Sequence, residues 1–128
     1  MKEPKFYYCK HCGNIIEMIY DSGVRVVCCG DQMTVLETKT EEEAYEKHLP
    51  VIEVNKNLVK VTVGGVLHPM VEKHYIQFIY LLTDKGLQKK YLNPGDAPVA
   101  NFVLEENEKV LAAYEFCNIH GLWKSEYK

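Results

Sequence analysis

The cysteines and histidines of this chain fall into two groups with different chemistry. Cys9, Cys12, Cys28 and Cys29 crowd into the first 30 residues, and Cys117 stands alone near the other end. His11 sits inside the cysteine cluster, while His48, His68, His74 and His120 lie outside it. Cys9-x-x-Cys12 followed, after a gap of fifteen residues, by adjacent Cys28-Cys29 offers four thiolates to one tetrahedral ion. The first pair is a common metal-binding knuckle. The second departs from the usual C-x-x-C, because neighbouring residues of an extended backbone point to opposite sides and would strain a tetrahedron. Sulfur ligands do not separate zinc from iron, so a structural zinc ribbon, a mononuclear iron site and a redox-active disulfide all remain open. His11 reads as an exposed loop residue.

The second group is more informative. In a continuous strand six residues would hold the rings of His68 and His74 roughly 20 Å apart, too far for one ion. The backbone must therefore bend within GGVLHPMVEKHYI, with Gly64, Gly65 and Pro69 to supply the bend and Pro69 holding His68 extended. Cys117 and His120, three apart in EFCNIHGLW, become compact as a turn ending at Gly121. Both pairs belong on loops at one end of a β-sandwich. Should His48, His68, His74, His120 and Cys117 share one ion, five donors exceed what structural zinc takes, and iron leads. With the imidazoles in a plane, the thiolate would lie opposite an open position and donate electron density toward whatever binds there, as in thiolate-ligated haems. That arrangement suits inner-sphere chemistry on a small oxygen species.

The elements that must position these groups are β-rich. Short strands are expected at Phe6 to Tyr8, Asn14 to Tyr20 and Val24 to Val27, separated by Cys-Gly-Asn and Asp-Ser-Gly turn signals. Thirty-odd residues bury too little apolar surface to fold alone, so the cysteines must supply what the core does not. The acidic stretch TKTEEEAYEKH reads as a linker ending in one short helical turn, with the module boundary near residue 37. Further strands are expected at Val51 to Val54, Leu58 to Val63, Tyr75 to Thr83, Leu87 to Leu92, Val99 to Leu104 and Lys109 to Phe116, a spacing close to that of an antiparallel sandwich. In the last of these, Val110, Ala112, Tyr114 and Phe116 alternate with mainly polar residues, the period of a half-buried strand.

Composition bounds the function. The chain has 128 residues, 47% of them hydrophobic, with 15 Lys plus Arg against 18 Asp plus Glu. A net charge of −3 gives no general pull toward nucleic acid or an anionic membrane, and neither partner is expected. No apolar run approaches the roughly 18 residues of a membrane span. The opening MKEPKFYYC lacks the features of a secretory signal. A cytoplasmic setting is expected, where clustered thiols stay reduced and bind metal or react.

Taken together, C-x-x-C-G and C-C-G followed by EKHLPVIE, GGVLHPMVEKHYI and EFCNIHGLWK resemble desulfoferrodoxin, the two-iron class of superoxide reductase, over essentially the whole chain. The resemblance implies an all-β protein: a small desulforedoxin-like metal-binding domain (1–37), then an immunoglobulin-like antiparallel β-sandwich (38–128). It implies two irons per chain. One would be held by Cys9, Cys12, Cys28 and Cys29, the other by His48, His68, His74 and His120 equatorially and Cys117 axially. The implied reaction is one-electron reduction of superoxide with two protons to hydrogen peroxide, without oxygen release. Glu46 and Lys47, an ordinary solvated pair by themselves, gain roles from the resemblance. The lysine would attract the anion and position a proton-donating water, and the glutamate would occupy the sixth site of the oxidised iron. A small rubredoxin-type electron donor and a homodimer joined partly through the front domains are also implied. The front iron would either relay electrons or staple its module. Two rivals fit less well. A blue-copper carrier wants two His, a Cys and an axial Met, and no Met follows His120. A zinc-ribbon adaptor leaves the second group without purpose.

Overall fold

The structure is a computed structural model that describes residues 3–41, 48–64 and 68–128. The expected helical turn before His48, together with Glu46, Lys47 and Gly65, lies outside the described residues. Those described form thirteen strands and no helix. The chain divides into two compact units, Lys2–Glu37 and Thr38–Lys128.

In the front unit β1 (Phe6–Tyr8) lies between β2 (Ile15–Glu17) and β5 (Thr34–Val35), and β3 (Val27–Cys28) pairs with β4 (Asp31–Gln32) as a separate hairpin. All pairings are antiparallel. The strands are shorter than the apolar pattern predicts. Asn14 to Tyr20 contracts to three residues, and the strand expected at Val24 to Val27 begins only at Val27. The physical reason is that a unit this small has nothing to pack on those side chains: Ile19, Tyr20, Val24 and Val27 stay exposed. Only Phe6, Cys9 and Met33 are buried apolar residues among those described there.

The second unit contains β6 (Thr38–Lys39), β7 (Pro50–Asn55), β8 (Leu58–Val63), β9 (Ile76–Thr83), β10 (Gly86–Tyr91), β11 (Val99–Val103), β12 (Val110–Cys117) and β13 (Gly121–Glu126). One sheet has the order β10-β9-β12-β13-β6 and the other β11-β8-β7. Val59, Val61, Val63, Ala100 and Phe102 from the smaller sheet share one buried cluster with Ile79, Leu81, Ala113 and Cys117 from the larger, so the two sheets face each other across a common core.

Three features depart from the sequence reading. β13 was not expected, since GLWKSE carries little alternation, yet its whole length pairs with β12 from Ala112 to Cys117. Thr38 and Lys39, expected in a linker, form β6 and pair with β13 in parallel, the one exception among otherwise antiparallel pairs of the described strands. β12, a central strand between β9 and β13, is buried on both faces, Ala113, Glu115 and Cys117 included. Its period-2 pattern marks a change of face rather than a change from core to solvent.

Candidate metal centres

The front centre is built from two tight turns. Cys9 follows β1, and the chain reverses so that Cys9 N–H donates to the Asn14 carbonyl (2.9 Å) and Gly13 N–H to the Cys9 carbonyl (3.0 Å), with Gly13 at φ +82°. The other turn is the two-residue loop of the β3–β4 hairpin, Cys29-Gly30, with φ of +52° and +78°. Positive φ at both central positions is what the twist of such a hairpin favours. It also resolves the strain expected of adjacent cysteines: Cys29 leaves the extended conformation, and its side chain no longer opposes that of Cys28. The ligand atoms of Cys9, Cys12, Cys28 and Cys29 all lie within 4.8 Å of one another. None of the described cysteines is in a disulfide, and Cys12 and Cys28 hold their sulfurs 3.7 Å apart. His11 is exposed and hydrogen-bonds through Nε2 to Asp31, clipping the first turn to the hairpin.

Charge in this cluster is in conflict without a cation. The Cys12 amide donates to Cys9 Sγ at 3.5 Å and is the main cause that lowers the Cys9 thiol to about 6. The same crowding pushes Cys29 up to about 12, chiefly through its contact with Cys12, and raises Cys28 as well. Four sulfurs so close together become thiolates only around a positive ion.

The second centre gathers residues from four places in the chain. His48 precedes β7, His68 and His74 lie between β8 and β9, Cys117 ends β12, and His120 closes the turn into β13. Their ligand atoms all lie within 4.8 Å of one another. The imidazoles form a closed cycle of edge-to-face neighbours. Ring centroids are 4.8 Å apart for His48–His68, 4.7 Å for His68–His74, 5.2 Å for His74–His120 and 4.7 Å for His120–His48. His48 Nε2 faces His120 Nδ1 at 3.1 Å, and Cys117 Sγ lies 3.7 Å from the same Nδ1. Donor nitrogens and a sulfur converging in this way are the signature of an ion's coordination shell. Thus both donor sets fit iron, giving two iron sites per chain.

Local structure explains each placement. Val71 and His74 exchange backbone hydrogen bonds of 3.0 and 2.9 Å around Glu72-Lys73, and this small turn brings His74 back toward His68. This turn lies C-terminal to Pro69, and at the other end of the segment Gly64 adopts φ +80°. His68 Nδ1 donates to the Pro69 carbonyl at 2.7 Å, which leaves Nε2 with the lone pair a metal needs. Cys117, expected on a loop, is the last residue of a strand. There the β9–β12 register shifts by one residue at Gln77, so that Cys117 stands opposite Ile76 and joins the buried core. The His120 amide donates to its sulfur at 3.4 Å, favouring the thiolate.

Three residues that the sequence did not single out complete the surroundings. Trp123, fully buried, stacks on His48 and donates from Nε1 to the His120 carbonyl at 3.2 Å. Lys39 reaches the same carbonyl at 3.1 Å and lies over the Trp123 ring. Asn118 bonds to the segment that carries His74. The signal for Trp123 was its place three residues after His120, but a lone tryptophan reads as core until the partner strand is known.

An all-β metalloprotein with a four-thiolate unit and a separate four-imidazole, one-thiolate centre is a narrow class. Family models confirm it: one described as desulfoferrodoxin matches residues 40–126, and one for the desulfoferrodoxin N-terminal domain matches residues 2–36. The chain belongs to the desulfoferrodoxin family. It is 49% identical over 122 residues to the desulfoferrodoxin of Nitratidesulfovibrio vulgaris, covering 95% of each chain. It is 36% identical over 107 residues to the superoxide reductase of Pyrococcus furiosus, covering 63% of this chain and 86% of that one. The crystal structure of the superoxide reductase from Treponema pallidum superposes with a TM-score of 0.85 at 37% identity, covering 98% of this chain and 100% of that one. Among the described residues no helix is long and apolar enough to cross a membrane.

Proposed function

We propose that this chain is a superoxide reductase, with residues 1–37 as a desulforedoxin-like iron domain and 38–128 as an immunoglobulin-like reductase sandwich. The observation that carries the reading is the closed cycle of four imidazoles with the Cys117 sulfur against it. Iron bound there supplies one electron to superoxide, which takes up two protons and leaves as hydrogen peroxide without release of dioxygen. His48, His68, His74 and His120 would be the nitrogen donors that hold it. Cys117, buried and hydrogen-bonded by the His120 amide, would be its sulfur donor and would supply electron density to it.

Glu46 and Lys47 immediately precede His48 in sequence, which supports placing both beside this centre. Lys47 raises the local concentration of the small anion and positions a water that delivers a proton. The carboxylate of Glu46 would offer an oxygen donor to that iron once oxidised. Cys9, Cys12, Cys28 and Cys29 hold the other iron, which staples a unit with three buried apolar side chains among its described residues. A small rubredoxin-type protein returns the electron. The protein works as a homodimer in the cytoplasm, a reading supported by the family resemblance and by the reduced state that five thiols require.

The test is stoichiometry. Reduced protein exposed to pulses of superoxide yields one peroxide for each superoxide consumed, with one reducing equivalent used and no dioxygen. Half that peroxide together with dioxygen is dismutation and overturns the proposal.

A further inference from the structure

We infer that Asn118 is a positioning residue of the second centre: its side chain holds the segment carrying His74 against the turn carrying Cys117 and His120. The inference rests on the reading that these five donors share one ion. β12 pairs with β9 as far as Cys117, opposite Ile76. Beyond that point the chain turns through residues 118–120 into β13, and β12 offers no further strand to residues 73–75. Asn118 takes that place. Its backbone N–H donates to the Tyr75 carbonyl (3.2 Å), its Oδ1 accepts from the Tyr75 N–H (2.9 Å), and its Nδ2 donates to the Lys73 carbonyl (3.0 Å).

Both ends of the side-chain amide thus meet complementary partners, which only an asparagine of this length supplies. The two residues it grips flank His74. On the N-terminal side His74 is tied to Val71 through reciprocal backbone bonds, so Asn118 fixes the small turn relative to the thiolate. Groups that orient ligands in this way change metal affinity by about 10- to 100-fold when removed. Glu72, Lys73 and Asn118 are exposed, and water competes for the freed backbone groups, so loss of the clamp loosens His74 without emptying the core.

The experiment is an anaerobic cobalt(II) titration of metal-free full-length protein, followed by visible and near-ultraviolet spectra. The four-cysteine site is an internal control in the same chain. Asn118→Ala is expected to weaken cobalt binding at the four-histidine site by about 10- to 100-fold and to shift its thiolate charge-transfer band, with the four-cysteine site unchanged. Asn118→Asp keeps the contact to the Tyr75 N–H but sets a carboxylate oxygen against the Lys73 carbonyl, so it too is expected to weaken the four-histidine site; it also serves should the alanine variant misfold. Wild-type affinity and an unshifted band in both variants overturn the inference. So does a lower unfolding temperature of the metal-free variants with unchanged affinity and band, which is a purely structural role. A wild-type chain that takes up cobalt at the cysteines alone overturns the shared-ion reading itself, and this inference with it.

Discussion

Trp123 lies flat against His48, with ring centroids 4.6 Å apart and planes 11° from parallel. Through its indole N–H it also holds the carbonyl of His120, a residue on the neighbouring side of the imidazole cycle. One buried side chain therefore fixes two of the four histidines. Trp123→Phe keeps the stacked face and removes the hydrogen bond. The expected result is a folded protein whose second centre binds metal about 10-fold more weakly, measured by chelator competition. Unchanged affinity would show that stacking alone orders the pair.

Cys117→Ser replaces a thiolate by a hydroxyl that remains protonated at neutral pH. Turnover of superoxide is expected to disappear, along with the sulfur charge-transfer absorption, while the front centre keeps its spectrum. Full activity in pulse radiolysis would remove the role of Cys117 as a ligand.

Lys47→Ala withdraws a cation from the approach of a small anion. The second-order rate with superoxide is expected to fall about 10-fold at low salt, and its ionic-strength dependence to flatten. Glu46→Ala is the contrast: the reduction rate stays near wild type, and exogenous anions bind differently to the oxidised protein. Equal salt slopes in wild type and Lys47→Ala would refute the steering role.

Glu108 gives a pH-dependent term at Thr83, the end of β9 away from the Cys117–Ile76 pair. Its carboxylate accepts the Thr83 hydroxyl, the main cause that holds it below the usual value of 4.5, and also the Glu105 amide at 2.8 Å. A lowered folded value means the stabilisation is fully present above the ordinary glutamate range and is lost as pH falls through the depressed value. Glu108→Gln is expected to be less stable than wild type by about 1 kcal/mol at pH 7, the gap closing below pH 4.5. A gap independent of pH, read by denaturant titration, would contradict this.

Removing metal separates the two units. With so few buried side chains, the front unit is expected to lose its fold when a chelator strips the four cysteines under reducing conditions. Amides of β8, β9 and β12 keep their protection against hydrogen exchange. Retained protection across β1 and β3 in metal-free protein would show a core sufficient without the ion.

Much of the second centre was legible because its donors are chemically unambiguous. Four histidines and one cysteine with no other strong ligand nearby point to one ion before any fold is known, and the bend between His68 and His74 follows from strand geometry alone. The turn at Glu72-Lys73 did not follow. It depends on the Val71–His74 backbone exchange, which any polar pair at 72 and 73 would permit. β13 was missed for a similar reason: a strand whose residues are selected by what they hold in place, such as Trp123, does not show a simple alternation.

The amino-acid sequence alone determined which atoms were available to bind metal, because thiolate and imidazole chemistry belongs to residue type, and short spacings such as Cys9 to Cys12 limit where those atoms go. Tertiary structure decided how they meet. Cys29 had to turn into the left-handed region, and His48 and His120 had to cross 72 residues of chain to face each other. The nitrogen His68 presents is set by the bond of its Nδ1 to the Pro69 carbonyl. Such distances are fixed by the packing of two sheets, in which each residue contributes a little and no local stretch contains the answer.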